Sequence, residues 1–422
     1  MGKNITEKIL GHAAGKEVSP GDFIEVGSRL PMTLGAGLGR GGTLMQAVGA
    51  KSLFNPLLFR MVDGHTGSSA SHDAGESRAI GRKWAKEMGI PEENLYDLGR
   101  QGIEHVVSGD HAWALPGEVF FQGIDGHTTT LGALGAFAVT LSYGSGAYMV
   151  TGKTWVRVPE SAKIVLNGTV PQGIMGRDIS EYVLAQIGPS SAAGMVMEWT
   201  GPVLEQLSMD ARFTLCCNAL FFGAWTGIIN PDAKALEYVR ARNPEPFEPL
   251  YSDADATYAK VHEVDISGIA PQVVPPPLRH TAGPVTQHAG TPVNRAFLGA
   301  CENSRMEDMR VAAKILKGRK IHPEVILNIT PGTVGILKQC IQEGLMEVFV
   351  DAEALVASPN CGMCWGANTP LAAGDVCIST GTCNYPGRMG SKDAEIYLGS
   401  PATVAASALE GKIVDPRKYQ YL

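Results

Sequence analysis

The sequence predicts an α/β protein of several domains with parallel sheets, and three observations support this prediction. Short apolar runs alternate with stretches of helical apolar spacing along residues 285–422, a pattern typical of parallel sheets. The 422 residues are enough for roughly two to four domains. The apolar fraction of 44%, the charged fraction of 18% and the 51 glycines suit a globular protein whose backbones approach closely around a cleft.

The region 285–422 can be assigned element by element. Its predicted strands are Ala296–Cys301, Val325–Ile329, Met346–Val350 and Val376–Ser379, and its predicted helices are Met306–Leu316, Val334–Ile341 and one that opens at Ser400-Pro401. Ser304 and Glu307 form a capping-box pattern before the first of these helices. Because parallel strands end at a common edge of the sheet, ligands are expected at that edge.

The region before residue 270 is also mixed. Its predicted strands are Phe23–Val26 and Ile164–Leu166, and its predicted helices are Glu76–Met88, Ile179–Ile187 and the glycine-rich stretch Gly132–Ala138. The last of these has low charge and small residues, so we expect it to be buried and closely packed.

A run of prolines divides the chain. Five prolines lie within residues 269–284, and proline can neither continue a helix nor occupy a central strand. We therefore predict a linker at 271–284 that precedes an α/β domain at 285–422. Two further α/β domains are predicted at 1–160 and 161–270.

Charge and hydropathy exclude several classes of partner. A net charge of −7 and a pI of about 5.8 argue against binding to nucleic acid or to an anionic membrane. We find no run of about 18 apolar residues for a membrane span, and no apolar signal peptide follows Met1. The protein is therefore predicted to be cytoplasmic, without a nucleic-acid or membrane partner.

Three cysteines are candidate metal ligands. Cys361 and Cys364 form a C-x-x-C pair on a glycine-containing loop, and Cys301 ends the first predicted strand of the same α/β unit. Both segments should emerge at one edge of the sheet, so the three thiols could converge. Such a pair fits zinc, iron–sulfur or redox chemistry, and three buried apolar thiols are the alternative. A site with three thiolates leaves one metal position open to a substrate.

At these residues the sequence resembles a known family. Its motifs are Gly102-Ile-x-His105, Asp125-x-His127-Thr128, Thr151-Gly-Lys-Thr-Trp, Cys301-x-Asn-x-Arg305, Pro359-x-Cys-Gly-x-Cys364, Gly387-Arg-Met-Gly390 and Ser400-Pro-Ala-Thr. Together, and in this order, they resemble the large subunits of 3-isopropylmalate dehydratase and homoaconitase in the aconitase superfamily. The resemblance covers nearly the whole chain.

The resemblance implies a fold, a cofactor and a partner. The implied fold is a three-lobed arrangement of aconitase-type α/β/α domains around a central cleft, without the fused swivel domain. The implied cofactor is a [4Fe-4S] cluster held by Cys301, Cys361 and Cys364. The implied reaction is the loss and readdition of water at a small hydroxy carboxylic acid by a hydro-lyase. A small swivel-domain subunit is the implied partner, in a heteromer.

The resemblance also assigns roles to individual residues. Asp125, His127 and His105 are the predicted catalytic residues, and a carboxylate beside an imidazole is able to fix its tautomer. Arg388, Thr128 and Ser379 are the predicted substrate-binding residues, and the planar guanidinium of Arg388 suits a carboxylate. The alternatives are a structural histidine–aspartate hydrogen bond and a surface ion pair of Arg388. The role of Arg305 stays open.

Several positions depart from the family pattern. The departures are Gly126, Cys217, Phe221, Cys383, Thr33-Leu34-Gly35 and an apparent insertion in Asp63-Gly64-His65. They replace polar or charged groups of the family by smaller, apolar or sulfur-containing ones. We therefore expect a less anionic pocket that fits a tricarboxylate poorly.

The departures keep other functions open. The same fold and cluster could serve a different step, such as isomerisation, sulfur transfer or electron transfer, in a specialised pathway, or the chain could be a non-enzymatic descendant of the family. Cys217 and Cys383 could take part in such a step or be inert. Gly37-Leu-Gly-Arg-Gly-Gly42 fits the dinucleotide pattern G-x-G-x-x-G, with Asp63 downstream, but a remodelled substrate loop is the preferred interpretation.

Overall fold

The computed structural model of the protein describes residues 2–34, 49–65 and 72–422. It divides into two compact units. Unit 1 comprises Met1–Leu166, Ser190–Leu204 and Leu215–Glu263, and unit 2 comprises Asn167–Pro189, Glu205–Thr214 and Val264–Leu422. The three predicted domains, and with them the predicted lobes, stay a prediction. The G-x-G-x-x-G segment lies outside the described residues.

Helices and strands alternate along much of the chain. The α-helices are α1 (Ile5–Ala14), α2 (His72–Glu87), α3 (Glu104–Asp110), α4 (Ser145–Thr151), α5 (Gly176–Ile187), α6 (Val203–Gln206), α7 (Met209–Cys217), α8 (Ala233–Arg240), α9 (Met306–Leu316), α10 (Val334–Gln342), α11 (Leu345–Asp351) and α12 (Pro401–Glu410). The strands are β1 (Phe23–Gly27), β2 (Met32–Leu34), β3 (Phe59–Val62), β4 (Leu95–Tyr96), β5 (Val119–Gln122), β6 (Phe137–Thr140), β7 (Lys153–Arg157), β8 (Ser161–Asn167), β9 (Val196–Thr200), β10 (Thr226–Ile229), β11 (Lys260–Asp265), β12 (Gln272–Val274), β13 (Gly283–Pro284), β14 (Arg295–Leu298), β15 (Ile326–Ile329), β16 (Leu355–Val356), β17 (Val376–Ser379) and β18 (Glu395–Gly399).

Unit 1 is built on parallel strands. Its five-stranded sheet has the order β4-β3-β2-β5-β6, and all its pairs are parallel. A second sheet has the order β10-β9-β8-β11, and the antiparallel pair β1-β7 forms a third. Aromatic side chains fill the core beside the five-stranded sheet, among them Phe59, Phe121, Phe137 and Tyr148. Parallel strands buried on both faces explain these nearly continuous apolar runs.

Unit 2 has a seven-stranded sheet of order β13-β12-β18-β17-β14-β15-β16. The five strands from β18 to β16 are mutually parallel, while β12 pairs antiparallel with both of its neighbours. The parallel α/β region predicted from the alternating pattern is therefore confirmed. Helix α9 spans the predicted range Met306–Leu316, but its N-cap is Arg305, whose N–H donates to Asp308 at 3.0 Å, one residue beyond the predicted capping box.

One predicted strand is wrong. Met346–Val350 lies in helix α11. The strand of this segment is β16, which begins at Leu355, nine residues after Met346. The run Met-Glu-Val-Phe-Val fits either period, because five residues are too few to distinguish the alternation of a strand from the repeat of a helix. Gly344, with a φ of 72°, is the N-cap of this helix, and Phe349 is the buried residue of the helix. A short apolar run therefore left helix and strand equally compatible with the pattern.

A second predicted element is half wrong. Gly132–Ala138 is buried as expected, but a 3₁₀ helix (Gly126–Leu134) ends inside it and strand β6 begins at Phe137. Gly135, with a φ of 79°, separates the two. A Cβ on Gly132 would lie 1.7 Å from the carbonyl oxygen of Gly227, so the close packing that the glycines suggested is present.

The proline-rich segment 271–284 is part of the sheet of unit 2 rather than a bare linker. Strand β12 lies between β13 and β18, a central position. Its residues 272–274 are not prolines, and Pro271 and Pro275 flank it, so no ladder N–H is lost. No helix of the described residues is long and apolar enough to span a bilayer.

Candidate functional site

The three candidate cysteines of unit 2 follow parallel strands at the same edge of its sheet. Cys301 comes after β14, and Cys361 and Cys364 come after β16, around the 3₁₀ turn Gly362–Trp365. All three side chains are buried, with exposed fractions of 4%, 7% and 2%. Met363, between the two cysteines of the pair, packs in the core of unit 2 and anchors their loop.

The loop of Cys361 and Cys364 packs on the strand that leads to Cys301. A Cβ on Gly362 would come within 2.8 Å of Thr330 Oγ1 and 3.0 Å of the ring of Phe297, so this loop rests on β14 and on the end of β15. The N–H of Gly299, after β14, donates to Thr380 Oγ1 at 2.8 Å, after β17. The sheet therefore brings the three loops to one edge, as the sequence predicted.

The sulfur of Cys364 lies in surroundings that favour a thiolate. The N–H of Thr382 donates to Sγ at 3.4 Å, the hydroxyl of Thr382 lies 3.3 Å away, and Arg388 Nη2 donates at 3.4 Å. Burial would raise the pKa of this thiol, but the charge of Arg388 and the bonds from Thr382 outweigh it and lower the pKa. A thiolate is the form that binds metal.

Other thiols of the same unit differ. Burial raises the pKa of Cys340 and of Cys377 to about 12 in each case, so these two are neutral core thiols. Burial also raises the pKa of the Cys383 thiol. Of these four thiols, Cys364 is the one whose surroundings favour a thiolate, and the residues at this edge fit a group held by thiolates.

The three predicted substrate-binding residues have different surroundings. Arg388 lies beside Cys364 and Tyr385, and its Nε has no hydrogen-bond partner among the described residues. The hydroxyl of Ser379 accepts the N–H of Gly381 at 2.8 Å and is fully buried. In unit 1, the hydroxyl of Thr128 donates to the carbonyl of Asp125 at 2.5 Å. Both hydroxyls thus hold their own loops, and their role towards a substrate stays a prediction.

Unit 1 contains a cluster of histidines around Asp125. His127 Nδ1 lies 3.2 Å from Asp125 Oδ1, and His65 Nε2 lies 3.4 Å from Oδ2. Burial alone would raise the pKa of Asp125, but the charge of His105 opposes it. Hydrogen bonds from His127 and His65 act in the same direction, and the pKa lies well below the ordinary aspartate value. Asp125 is therefore a carboxylate that orients two imidazoles.

His65 also contacts a second carboxylate. Its Nδ1 lies 3.4 Å from Glu104 Oε2, and Glu104 is fully buried at the start of α3. A protonated imidazole is able to donate to both carboxylates at once. Ligand atoms of His65, Glu104 and Asp125 lie within 4.8 Å of one another, close enough for a single metal ion to contact all three.

Two aromatic rings also lie beside His127. The ring of His105 stacks on it at a centroid distance of 5.8 Å, and the ring of Phe221 lies 6.0 Å away. Thr129 donates to the carbonyl of Cys217 at 3.3 Å. The predicted catalytic residues Asp125, His127 and His105 therefore form one group, with an apolar ring beside it.

Comparisons with known proteins identify the family. The sequence profile of the aconitase family (aconitate hydratase) matches residues 73–289 and 277–411. The chain belongs to the aconitase family. The chain is 37% identical over 421 residues to the 3-isopropylmalate dehydratase large subunit 1 of Methanopyrus kandleri, covering 99% of this chain and all of that protein. It is 39% identical over 424 residues to the large subunit of Aquifex aeolicus, covering 99% of this chain and 97% of that protein.

A solved member of the aconitase fold is also similar. The crystal structure of aconitase X from Thermococcus kodakaraensis, in its holo form, superposes with a TM-score of 0.50 and 11% identity, and the match covers 89% of each chain. The predicted aconitase-type α/β fold, the resemblance to the dehydratase large subunits and membership of a hydro-lyase superfamily are thus confirmed. Aconitase family proteins generally bind a [4Fe-4S] cluster.

Sequence reasoning missed buried charged residues beside the predicted site residues of each unit. Glu104 lies next to the predicted His105 and Glu302 next to the predicted Cys301, yet both are fully buried. Arg177 and Arg279 are buried as well, although Arg279 belongs to the predicted linker. The only available signal was the position of each glutamate directly beside a predicted site residue.

Proposed function

We propose that the chain is the large catalytic subunit of a [4Fe-4S]-dependent hydro-lyase that acts on a small hydroxy carboxylic acid. The proposed activity is like that of 3-isopropylmalate dehydratase, with an altered, less anionic pocket. The observation that supports it most directly is the sulfur of Cys364, which Thr382 and Arg388 hold at the edge of the sheet in surroundings that favour a thiolate.

In this proposal Cys301, Cys361 and Cys364 hold the cluster. When bound, the cluster supplies a Lewis acid for the hydroxyl that leaves. Arg388 anchors a carboxylate of the substrate, since its Nε has no partner among the described residues and its guanidinium matches a carboxylate. The same arginine contacts Cys364, so one side chain serves the ligand and the substrate.

The proposal gives proton transfer to the histidine group of unit 1. Asp125 keeps its charge because its pKa is held low, and it accepts a bond from His127 Nδ1. This bond directs Nε2 of the same ring to the reacting hydroxyl in the proposed reaction. His105 stacks on His127 and stabilises the charge of Asp125.

We infer the less anionic pocket from the residues that differ from the family pattern. Phe221 places an aromatic ring beside His127, where the resemblance expects a glutamate. Cys383 replaces a substrate-binding arginine of the family, and burial raises the pKa of its thiol, so a cation that would bind a further carboxylate is replaced by a neutral group. A hydroxy acid with an apolar substituent fits such surroundings better than a tricarboxylate does.

The alternative is a different cluster-based step, such as isomerisation, sulfur transfer or electron transfer. Sulfur transfer requires a nucleophilic thiolate. The raised pKa of Cys383 keeps this thiol protonated, which supports the hydro-lyase over sulfur transfer. The mutation of Cys217 and Cys383 to alanine separates the two functions, since a hydro-lyase retains its turnover in both variants.

A small swivel-domain subunit is the proposed partner, and a cytoplasmic location belongs to the same proposal. The experiment combines the purified chain with a small subunit of this type from the same genome, after anaerobic reconstitution with iron and sulfide. Hydroxy mono- and dicarboxylates are then screened for the ultraviolet absorbance of the enoate product. Turnover of at least one acid is expected, and a full cluster without turnover of any acid would contradict the proposal.

A further inference from the structure

Four buried charged side chains of unit 2 form one network, which we call the charge tetrad: Arg177, Glu181, Arg279 and Glu302. Arg279 Nη2 lies 2.6 Å from Glu181 Oε1 and 2.8 Å from Glu302 Oε2. Arg177 Nη2 lies 3.3 Å from Glu181, and its Nη1 lies 3.3 Å from Glu302. Each carboxylate therefore contacts both guanidinium groups, and two positive charges balance two negative ones.

The tetrad also holds three consecutive backbone carbonyls. Arg177 donates to the carbonyl of Thr380 at 2.6 Å and to that of Gly381 at 2.9 Å. Arg279 donates to the carbonyl of Thr382. A planar guanidinium fork suits such adjacent acceptors, and hydrogen bonds from a charged donor are stronger than neutral ones. The loop that follows β17 is thus fixed residue by residue.

This loop leads directly to a proposed cluster ligand. The N–H of Thr382 donates to Cys364 Sγ at 3.4 Å, and its hydroxyl lies 3.3 Å from the same sulfur. Glu302 is the chain neighbour of Cys301, another proposed ligand. The tetrad therefore connects the segment of Cys301 with the residue that contacts Cys364.

Stability alone explains such a network poorly. Burying ions is costly, and a buried ion network is often no more stabilising than apolar residues of similar volume. Arg279 also has its terminal nitrogens occupied by Glu181, Glu302 and Thr382, so it does not replace the substrate arginine that Cys383 displaces. The hydrogen bonds of the tetrad instead fix the position of Thr382.

We propose that the charge tetrad is a set of positioning residues for the iron–sulfur cluster, acting through Thr382 on Cys364 and through Glu302 on Cys301. The inference rests on the proposed function, because it requires the cluster there. It goes beyond that function by assigning retention of the cluster to four residues that are proposed neither as ligands nor as substrate-binding residues. Partners that orient metal ligands typically change metal affinity by about 10–100-fold when mutated.

The test compares two conservative substitutions in the full-length chain. Arg177→Lys keeps the charge of the tetrad but loses the fork that holds the carbonyls of Thr380 and Gly381. The matched control is Arg295→Lys in the sheet of unit 2. Like Arg177, Arg295 pairs with a carboxylate, that of Asp375 at 3.2 Å, and donates to a backbone carbonyl, that of Thr369 at 2.8 Å. Arg295 begins β14 and so lies at the opposite end of this strand from Cys301.

The readouts are the iron bound per chain after anaerobic reconstitution and the rate at which visible cluster absorbance is lost in the presence of a chelator. The thermal midpoint of the iron-free chain is measured in parallel. We expect R177K to lose its cluster about 10-fold faster than the wild type and R295K to lose it at nearly the wild-type rate, even where their thermal midpoints agree. Equal loss rates in R177K and R295K would overturn the inference.

A second variant covers the case in which R177K does not fold. Thr382→Val removes the hydroxyl at the sulfur and leaves the tetrad intact, and it is expected to lose its cluster faster as well. Where R177K folds, the double variant R177K/T382V should lose its cluster more slowly than the two single effects combined would predict, because one of the two routes of the tetrad acts through Thr382. Fully additive effects of the two substitutions on cluster loss, or a wild-type rate of loss in T382V, would contradict the inference. The proposed function would still stand in that case, provided that the wild-type chain binds its cluster. A wild-type chain that takes up no iron would overturn both.

Discussion

The carboxylate of Glu104 occupies the space that a side chain on Gly64 would need. A Cβ built on Gly64 would lie 2.7 Å from Glu104 Oε2. It would also lie 2.7 Å from the carbonyl oxygen of Gly102 and 2.9 Å from Cα of Ile103. The glycine that interrupts the expected aspartate–histidine pair of the family is therefore required by the packing of a buried glutamate, and the imidazole next in the chain, that of His65, contacts this glutamate.

Gly64→Ala is expected to destabilise the protein by about 1–3 kcal/mol, since the added methyl overlaps the backbone as well as Glu104. The measurement is the urea concentration at the midpoint of unfolding. Gly75→Ala is the control, because Gly75 lies in helix α2 with nothing within 4 Å of the added atom, and alanine there should stabilise by up to about 1 kcal/mol. An unchanged midpoint for G64A would contradict this account of residue 64.

Glu104→Gln is expected to change how stability depends on pH. Burial raises the pKa of Glu104 above its usual 4.5, and the charge of His65 offsets only part of this. As the pH rises past the usual value, the unfolded chain releases a proton that the folded chain still holds, so the free energy of unfolding falls. Glutamine has no such proton. The thermal midpoint of the wild type should therefore fall relative to that of E104Q as the pH rises over the range above the ordinary glutamate value of 4.5. A constant difference across this range would contradict the prediction.

Cys364→Ser is expected to weaken retention of iron by at least about 10-fold, and Cys301→Ser and Cys361→Ser should act in the same direction. Cys340→Ser is the matched control, because Cys340 is also a buried thiol of unit 2 but its pKa is raised to about 12. Bound iron is counted after anaerobic reconstitution, and again after dialysis against a chelator. Equal iron in C364S and C340S would mean that the thiolate environment of Cys364 does not mark a ligand.

The fold was predictable where apolar spacing was long or bounded by clear signals. Helix α9 spans its predicted residues, and the ends of β17 agree with the predicted Val376–Ser379. Met346–Val350 was not predictable, since five apolar-rich residues fit a strand as well as a helix. The loops of Cys301 and Cys364 were still placed correctly, because β16 precedes Cys361 just as the wrongly predicted strand would have done.

The charged surroundings of the site were not predictable from spacing. Arg177 and Glu302 lie 125 positions apart in the chain, and each would pass for a surface residue in a sequence pattern. Their pairing exists only because α5 and the loop after β14 meet within unit 2. Resemblance to a family does not help here, since Arg177 lies outside the motifs that carry it and Glu302 is an unspecified position within the motif Cys301-x-Asn-x-Arg305.

Phe221→Ala is expected to reduce selectivity for substrates with an apolar substituent. The ring of Phe221 lies beside that of His127, and its loss removes apolar surface next to the proposed proton donor. We expect kcat/KM to fall by about 10-fold or more for a hydroxy acid with a branched alkyl group, and by less for one without it. Phe222→Leu is the control, because Phe222 is buried against Trp199, with 5.8 Å between the ring centroids. This substitution should lower the thermal midpoint without changing the ratio of the kcat/KM values for the two acids. An equal fall in kcat/KM for both substrates in F221A would show that the ring only supports the fold, because a contact with the substituent must affect the two acids differently.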